Sequence, residues 1–387
     1  MNRTFFVVSF MIFVSALSVR AVDPVIPQIA ADFSITPTTA ALLAVGFAAY
    51  GFVQPVLGPI ADTFGKARVM TGCLLLLAVA SFLSAVVTDF WLLFVLRIVS
   101  GAACGGSFPI GMALLADLVP VAQRQVAIGR LLGATISGNL LGAAAGGIVA
   151  DAIHWRGTFV VLGVSSLLAM ALGIVTLREV PAGPTHPLDV RSVARRYREI
   201  FRIRNARICY VTVALEGFFL FGIFPYAAVL LLAGGEARAT IAGLVVAAFA
   251  AGGLVYSLSV GRLLAWFGQK RVMMVGGALV ALGLVVVAFG PSWPVQAIAF
   301  ALMGCGFYML HASIQVYVTE LAPATRSSAV AFHTFSFFIG GGLSPIAYGL
   351  GLETLGAPVT LAIAAIGMTI IGVVSAQLLV KPKPGEI

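Results

Sequence analysis

Charge is what this sequence has least of. Asp, Glu, Lys and Arg make up only 10% of its 387 residues, against about 25% in soluble globular proteins. With 60% of the chain hydrophobic, that shortage excludes a water-soluble fold, because too little polar surface remains to cover the apolar bulk. Cysteine is also scarce. Cys73, Cys104, Cys209 and Cys305 each fall inside an apolar run without metal-ligand spacing, so neither disulfides nor a zinc site is expected. A glycine-rich phosphate loop with its lysine, a metal cluster and a nucleophile–base pair are all missing as well. These absences argue against an ATP-driven engine and against an enzyme. No cofactor and no metal are expected, and any work done must draw on an ion or solute gradient.

What the chain has instead is long apolar runs. A bilayer core about 30 Å thick takes roughly 20 apolar residues per helix, and the runs predict spans near 5–29, 39–61, 69–87, 91–115, 126–149, 158–178, 207–232, 241–262, 271–290, 294–318, 328–350 and 358–380. The expected fold is an all-α membrane protein of twelve transmembrane helices. The 43 glycines suit it, since small residues let membrane helices pack closely. The apolar stretch after Arg3 invites comparison with a cleaved signal peptide; with eleven further spans behind it, it reads as a retained first helix.

The net charge of +9 needs no nucleic acid. Eighteen of the 23 Lys and Arg residues fall in the termini, in the even-numbered connections or at the span ends that border them, and the odd-numbered connections are mostly acidic. The positive-inside rule then places both termini in the cytoplasm, with a bacterial inner membrane as the expected location. The one long connection, 179–206, is rich in proline and arginine and reads as a basic linker against the anionic inner leaflet. It divides the chain into an N-terminal six-helix bundle, 1–178, and a C-terminal one, 207–387.

The halves repeat. At an offset of 203, Gly58, Phe64, Gly65, Arg68, Val69 and Met70 align with Gly261, Phe267, Gly268, Arg271, Val272 and Met273. The same offset pairs Gly101 with Gly304 and Pro120 with Pro323, so the register extends over several helices. Two pseudo-symmetric six-helix bundles suit a mechanism in which they rock about a midplane site.

The stretch Gly58-Pro-Ile-Ala-Asp62-Thr-Phe-Gly65-Lys66-Ala-Arg68 resembles the signature that the major facilitator superfamily carries between helices two and three, and the resemblance extends over essentially the whole chain. Glycines permit a tight turn there, while Asp62 can accept hydrogen bonds at a helix N-terminus and pair with Arg68. The resemblance implies a conformational latch of Gly58, Asp62, Gly65 and Arg68 that leans on the eleventh helix; Thr63 stands where the family usually has a basic residue. Arg97-Ile-Val-Ser-Gly101 is similar to a family motif associated with proton transfer. Gly138-Asn-Leu-Leu-Gly142-Ala-Ala-Ala-Gly146-Gly147 resembles the glycine pattern of the family's antiporters, with Ala143 in place of a proline, and its plain physical reading is helix packing. Trp155-Arg156-Gly157-Thr158-Phe159 resembles the start of the sixth helix in drug exporters, where a tryptophan also serves as an interfacial anchor.

Ionisable residues inside the spans are the strongest functional candidates, because each needs a partner or water. Asp23 could bond Arg97 on the fourth helix, or Arg20 three residues before it on its own. Glu216 and His311 are expected at a similar depth and form a second titratable pair. Phe218, Phe219, Phe221, Phe224 and Tyr226 follow Glu216, and an aromatic site with a carboxylate suits lipophilic cations. The expected function is a monomeric, proton-coupled antiporter in the lipid bilayer that exports amphipathic small molecules or drugs by alternating access. Two alternatives stay open: an exporter or exchanger of anionic or polar metabolites held by Arg20 and Arg97, and a non-transporting receptor of the same fold.

Overall fold

The computed structural model describes residues 2–119, 121–178, 198–290, 292–321 and 326–379. Among these residues there is no strand. Eleven helices are long and apolar enough to cross a membrane. The longest, Ala239–Ala288, contains a break at Gly268 with φ 68°, and its 50 residues are more than twice what one crossing needs. Counting it as the eighth and ninth spans gives twelve. Most of the linker, 179–197, lies outside the described residues.

The turns follow from the sequence. Gly65 joins the second span to the third with φ 94°, and Gly268 does the same between the eighth and ninth. Both angles lie in the left-handed region that a side chain disfavours, and the two glycines are partners in the 203-residue repeat. At the other face, Asp89 starts the fourth span by accepting a hydrogen bond from Leu92 N, an N-cap that explains an acidic residue in a short connection.

Contacts divide the chain into two compact units, Met1–Leu188 with Phe224–Ala247, and Asp189–Ile223 with Ala248–Ile387. This differs from a division at the linker alone. The segment 224–247 joins the first unit because its backbone packs on the fifth span: a methyl on Gly243 would overlap the Ala143 carbonyl oxygen, and one on Gly147 would overlap that of Ala239.

In the first unit, Val8, Met11, Ile12, Leu74, Leu77, Leu114 and Leu131 form a buried core. The third span (Lys66–Val86) buries Leu74 and Leu77 but leaves Leu75, Leu76, Val79 and Leu83 exposed. A helix apolar on both faces is one that meets lipid. In the second unit, the first part of the seventh span (Arg204–Phe221) lies against the eleventh (Arg326–Thr354). Gly340 faces the Ala214 carbonyl and Gly217 that of Phe337, each too near for a methyl.

Candidate functional site

Among the described residues the spans hold two buried clusters of ionisable groups, one in each unit. The first arises from a broken helix. Pro24 and Pro27 lack the N–H that a continued helix requires, so the first span stops at Arg20, turns through Asp23–Val25 and resumes as Ile26–Asp32. Asp23 is buried in that turn, and its Oδ2 accepts a hydrogen bond from Arg20 Nη1 at 3.1 Å. Arg20 also lies 3.8 Å from the centre of the Phe224 ring, a cation–π contact. Arg97, 2% exposed, interacts with Asp23 electrostatically and sits 5.9 Å from the Phe159 ring centre. Of the two partners expected for Asp23, the hydrogen bond goes to Arg20.

The second cluster brings together Glu216 and His311 as expected and adds a member. Glu216 on the seventh span is fully buried, and its Oε2 lies 2.8 Å from His311 Nδ1 on the tenth. His333 of the eleventh span, 1% exposed, places its ring 5.1 Å from that of His311. Aromatic rings flank His311: Phe307 stacks on it at 4.8 Å, and Phe337 lies at the same distance. Among the described residues, Glu216 Oε1 and His333 Nε2 are buried without a hydrogen-bond partner. Burying such atoms costs free energy unless something else bonds them.

His333 was legible in principle. An ionisable residue inside an apolar span is a functional candidate by default, and this one lies in the 328–350 run. Phe219, one of the rings that follow Glu216, packs beneath Gly367, and its carbonyl accepts from the Tyr348 hydroxyl at 2.5 Å.

The motif residues occupy other places. Gly138, Gly142 and Gly146, four residues apart, turn one face of the fifth span onto the first; methyls on Gly142 and Gly146 would overlap the carbonyls of Leu17 and Ala21. Gly147 faces the other way, onto Ala239. This glycine pattern makes helix contacts and contributes to neither polar cluster. At the second turn, Gly58 and Asp62 lie in the helix Ala48–Phe64, while Lys66 and Arg68 open the next. Asp62 pairs with Lys66 Nζ at 3.8 Å and not with Arg68, because Lys66 is the first basic side chain past the Gly65 turn.

Trp155 departs from its expected role as an interfacial anchor. It is 0% exposed, and its Nε1 donates to Asp32 at 3.2 Å. Arg156 reaches the same carboxylate at 3.0 Å and donates to the Val87 carbonyl at 2.6 Å. The pair ties the sixth span to the ends of the first and third. Nearby, Asp151 accepts from the backbone N–H groups of Ala239 and Thr240 at 3.0 and 2.7 Å, capping a helix that begins 88 residues later in the chain. In the connection before that helix, hydrogen bonds from Arg238 hold the Glu236 carboxyl down to about 2.

The Major Facilitator Superfamily model matches residues 8–236 and again 228–387. Among curated relatives, quinolone resistance protein NorA of Staphylococcus aureus is 32% identical over 180 residues, 46% of this chain and 46% of NorA. This chain therefore spans about half the length of that relative. Multidrug resistance protein 1 of Bacillus subtilis is 23% identical over 348 residues, 88% of this chain and 87% of that protein. The solved nucleoside transporter NupG superposes with a TM-score of 0.78 at 15% identity, over 99% of this chain and all of NupG. A bacterial homologue of the human lysosomal transporter Spinster gives 0.70 at 17% identity, over 98% of this chain and 94% of that one. At such identities the superpositions speak for the fold alone.

Proposed function

This chain belongs to the major facilitator superfamily, and on that premise we propose that it is a proton-coupled antiporter that exports amphipathic small molecules by alternating access. Family and fold make it a multi-pass membrane transporter for a small-molecule substrate. The finer reading rests on one observation, the Glu216–His311 contact of 2.8 Å beside the rings of Phe307 and Phe337.

The chemistry supports exchange. A carboxylate within a bilayer is costly unless it is paired, and among the described residues Glu216 Oε1 has no hydrogen-bond partner. A proton on the pair lowers its charge, and so does a cationic substrate seated against Phe307 and Phe337. Two ligands that relieve the same charge compete, and competition across two access states is antiport. The names of NorA and of the Bacillus protein favour drugs as cargo. Asp23 and Arg97 act as a second coupling site on this reading, and Gly58, Asp62, Gly65 and Arg68 bias the access states. The protein works as a monomer in a bacterial inner membrane with both termini cytoplasmic, its bundles joined by the linker 179–206.

The test is proton movement, read with a pH dye in proteoliposomes, on adding quinolones, lipophilic cations, organic anions or neutral solutes. Cation-triggered proton flux in the wild type and its loss in Glu216→Gln are expected. Substrate flux without proton movement would sink the coupling and leave a uniporter or solute exchanger. A second reading, transport of anionic metabolites, draws on two arginines facing one carboxylate in the first cluster. A preference for organic anions in the same screen, abolished by Arg97→Gln, would select it. No flux of any solute would favour the receptor.

A further inference from the structure

In the second unit the seventh and twelfth spans border an open groove of about 520 Å³, within the size range of small-molecule sites. Arg204 and Arg207, both exposed, line one end of it. Beyond them the walls are apolar except for Thr212, with Val211, Leu215 and Ile370 all strongly exposed. Arg207, Val211 and Leu215 follow one another at intervals of four, so they share a helix face, and the groove runs along the helix from a charged head to an apolar floor.

The seventh span starts at Arg204. Its N-cap residue, Ile203, offers no side-chain acceptor, and its first turn holds no acidic residue. A helix N-terminus of this kind adds partial positive charge to that of the two guanidinium groups. Just before this helix the chain carries Arg198 and Arg202 against the single acid Glu199, which adds to the positive charge around the start of the span. A soluble anion would satisfy the head and leave the apolar walls unused, whereas an acyl chain alone would ignore the arginines.

From this combination we infer that the groove is a binding site for one anionic phospholipid, its phosphate between Arg204 and Arg207 and an acyl chain along Val211, Leu215 and Ile370. The lipid belongs to the leaflet that the orientation proposed above makes cytoplasmic, but binding itself does not depend on the direction or coupling of transport. Arginine pairs suit phosphate because their forked donors match its oxygens. A basic residue at an anionic membrane surface is worth about fivefold in affinity, so the pair is expected to supply roughly thirtyfold.

The experiment is native mass spectrometry of the full-length protein, released from nanodiscs of phosphatidylglycerol and phosphatidylcholine with matched acyl chains. Wild type is expected to retain one phosphatidylglycerol in preference to phosphatidylcholine. Arg204→Gln/Arg207→Gln should lose that preference roughly thirtyfold while binding phosphatidylcholine as before, and Leu215→Trp, which fills the floor, should lose the bound lipid with both arginines intact. Equal retention of the two lipids by wild type, or undiminished preference in the double variant, overturns the site. Effective competition by glycerol phosphate, which has no acyl chain, overturns the lipid as its ligand. None of these readouts involves flux, so a failed antiport assay and a failed lipid site are told apart.

Discussion

At the scale of single residues, the polar clusters make separate predictions. Glu216→Gln keeps a side chain that can still meet His311 but removes the ionisable group, so substrate-driven proton flux should vanish while the purified protein melts near the wild-type temperature. His333→Phe preserves a ring of similar breadth beside His311 without its nitrogens. Transport should persist with a displaced pH profile, and an unchanged profile would make His333 a packing residue. Trp155→Phe removes the hydrogen bond to Asp32 and should cost about 1 kcal/mol, read as a lowered melting temperature in detergent. Asp23, Arg20, Arg97, Glu216 and His311 were legible because ionisable side chains stand out in apolar runs. Their pairings were less so. Whether Asp23 bonded Arg20 or Arg97 depended on a proline break that periodicity alone does not locate, and the Asp62–Lys66 pair depended on the direction of the chain after Gly65.

At the scale of helices, the small residues decide fit. Gly142→Ala drives a methyl into the Leu17 carbonyl, whereas Gly133 has nothing within 4 Å of an added Cβ. The first substitution should destabilise by about 1–3 kcal/mol through overpacking, and Gly133→Ala should be close to neutral; equal melting temperatures for the two would refute this account of the fifth span. Asp151→Asn keeps the size of a cap that serves two backbone donors but removes its charge. A loss of about 1 kcal/mol is expected, measured by the same melt. The glycine pattern could be read from sequence as packing, since recurrence every four residues puts one face of a helix in contact. Which helices would meet there could not, because a spacing names a face and not its neighbour. Asp151 stood out only as an acid in a short connection; its bond to Ala239 and Thr240 joins parts of the chain too distant for any local pattern.

For the whole molecule, the duplication predicted the frame and not its chemistry. The offset that pairs Gly65 with Gly268 sets Asp23 against Tyr226, Arg97 against Phe300, Glu216 against Phe13 and His311 against Phe108. The repeated glycines form the turns in both halves, while each of these four ionisable groups occurs in one half only. Orientation is checked by labelling single cysteines in a background without the four native ones: Asp89→Cys should react in intact cells and Arg262→Cys only after permeabilisation, and the reverse pattern would invert the topology. The boundary of the first unit has a further consequence. Because Phe224–Ala247 covers Ala143 and Gly147, a gene divided at the linker would yield an N-terminal fragment with that seam bare in the bilayer. Such a fragment should reassemble into active protein when its missing partner is made alongside it, and should self-associate or be degraded when made alone.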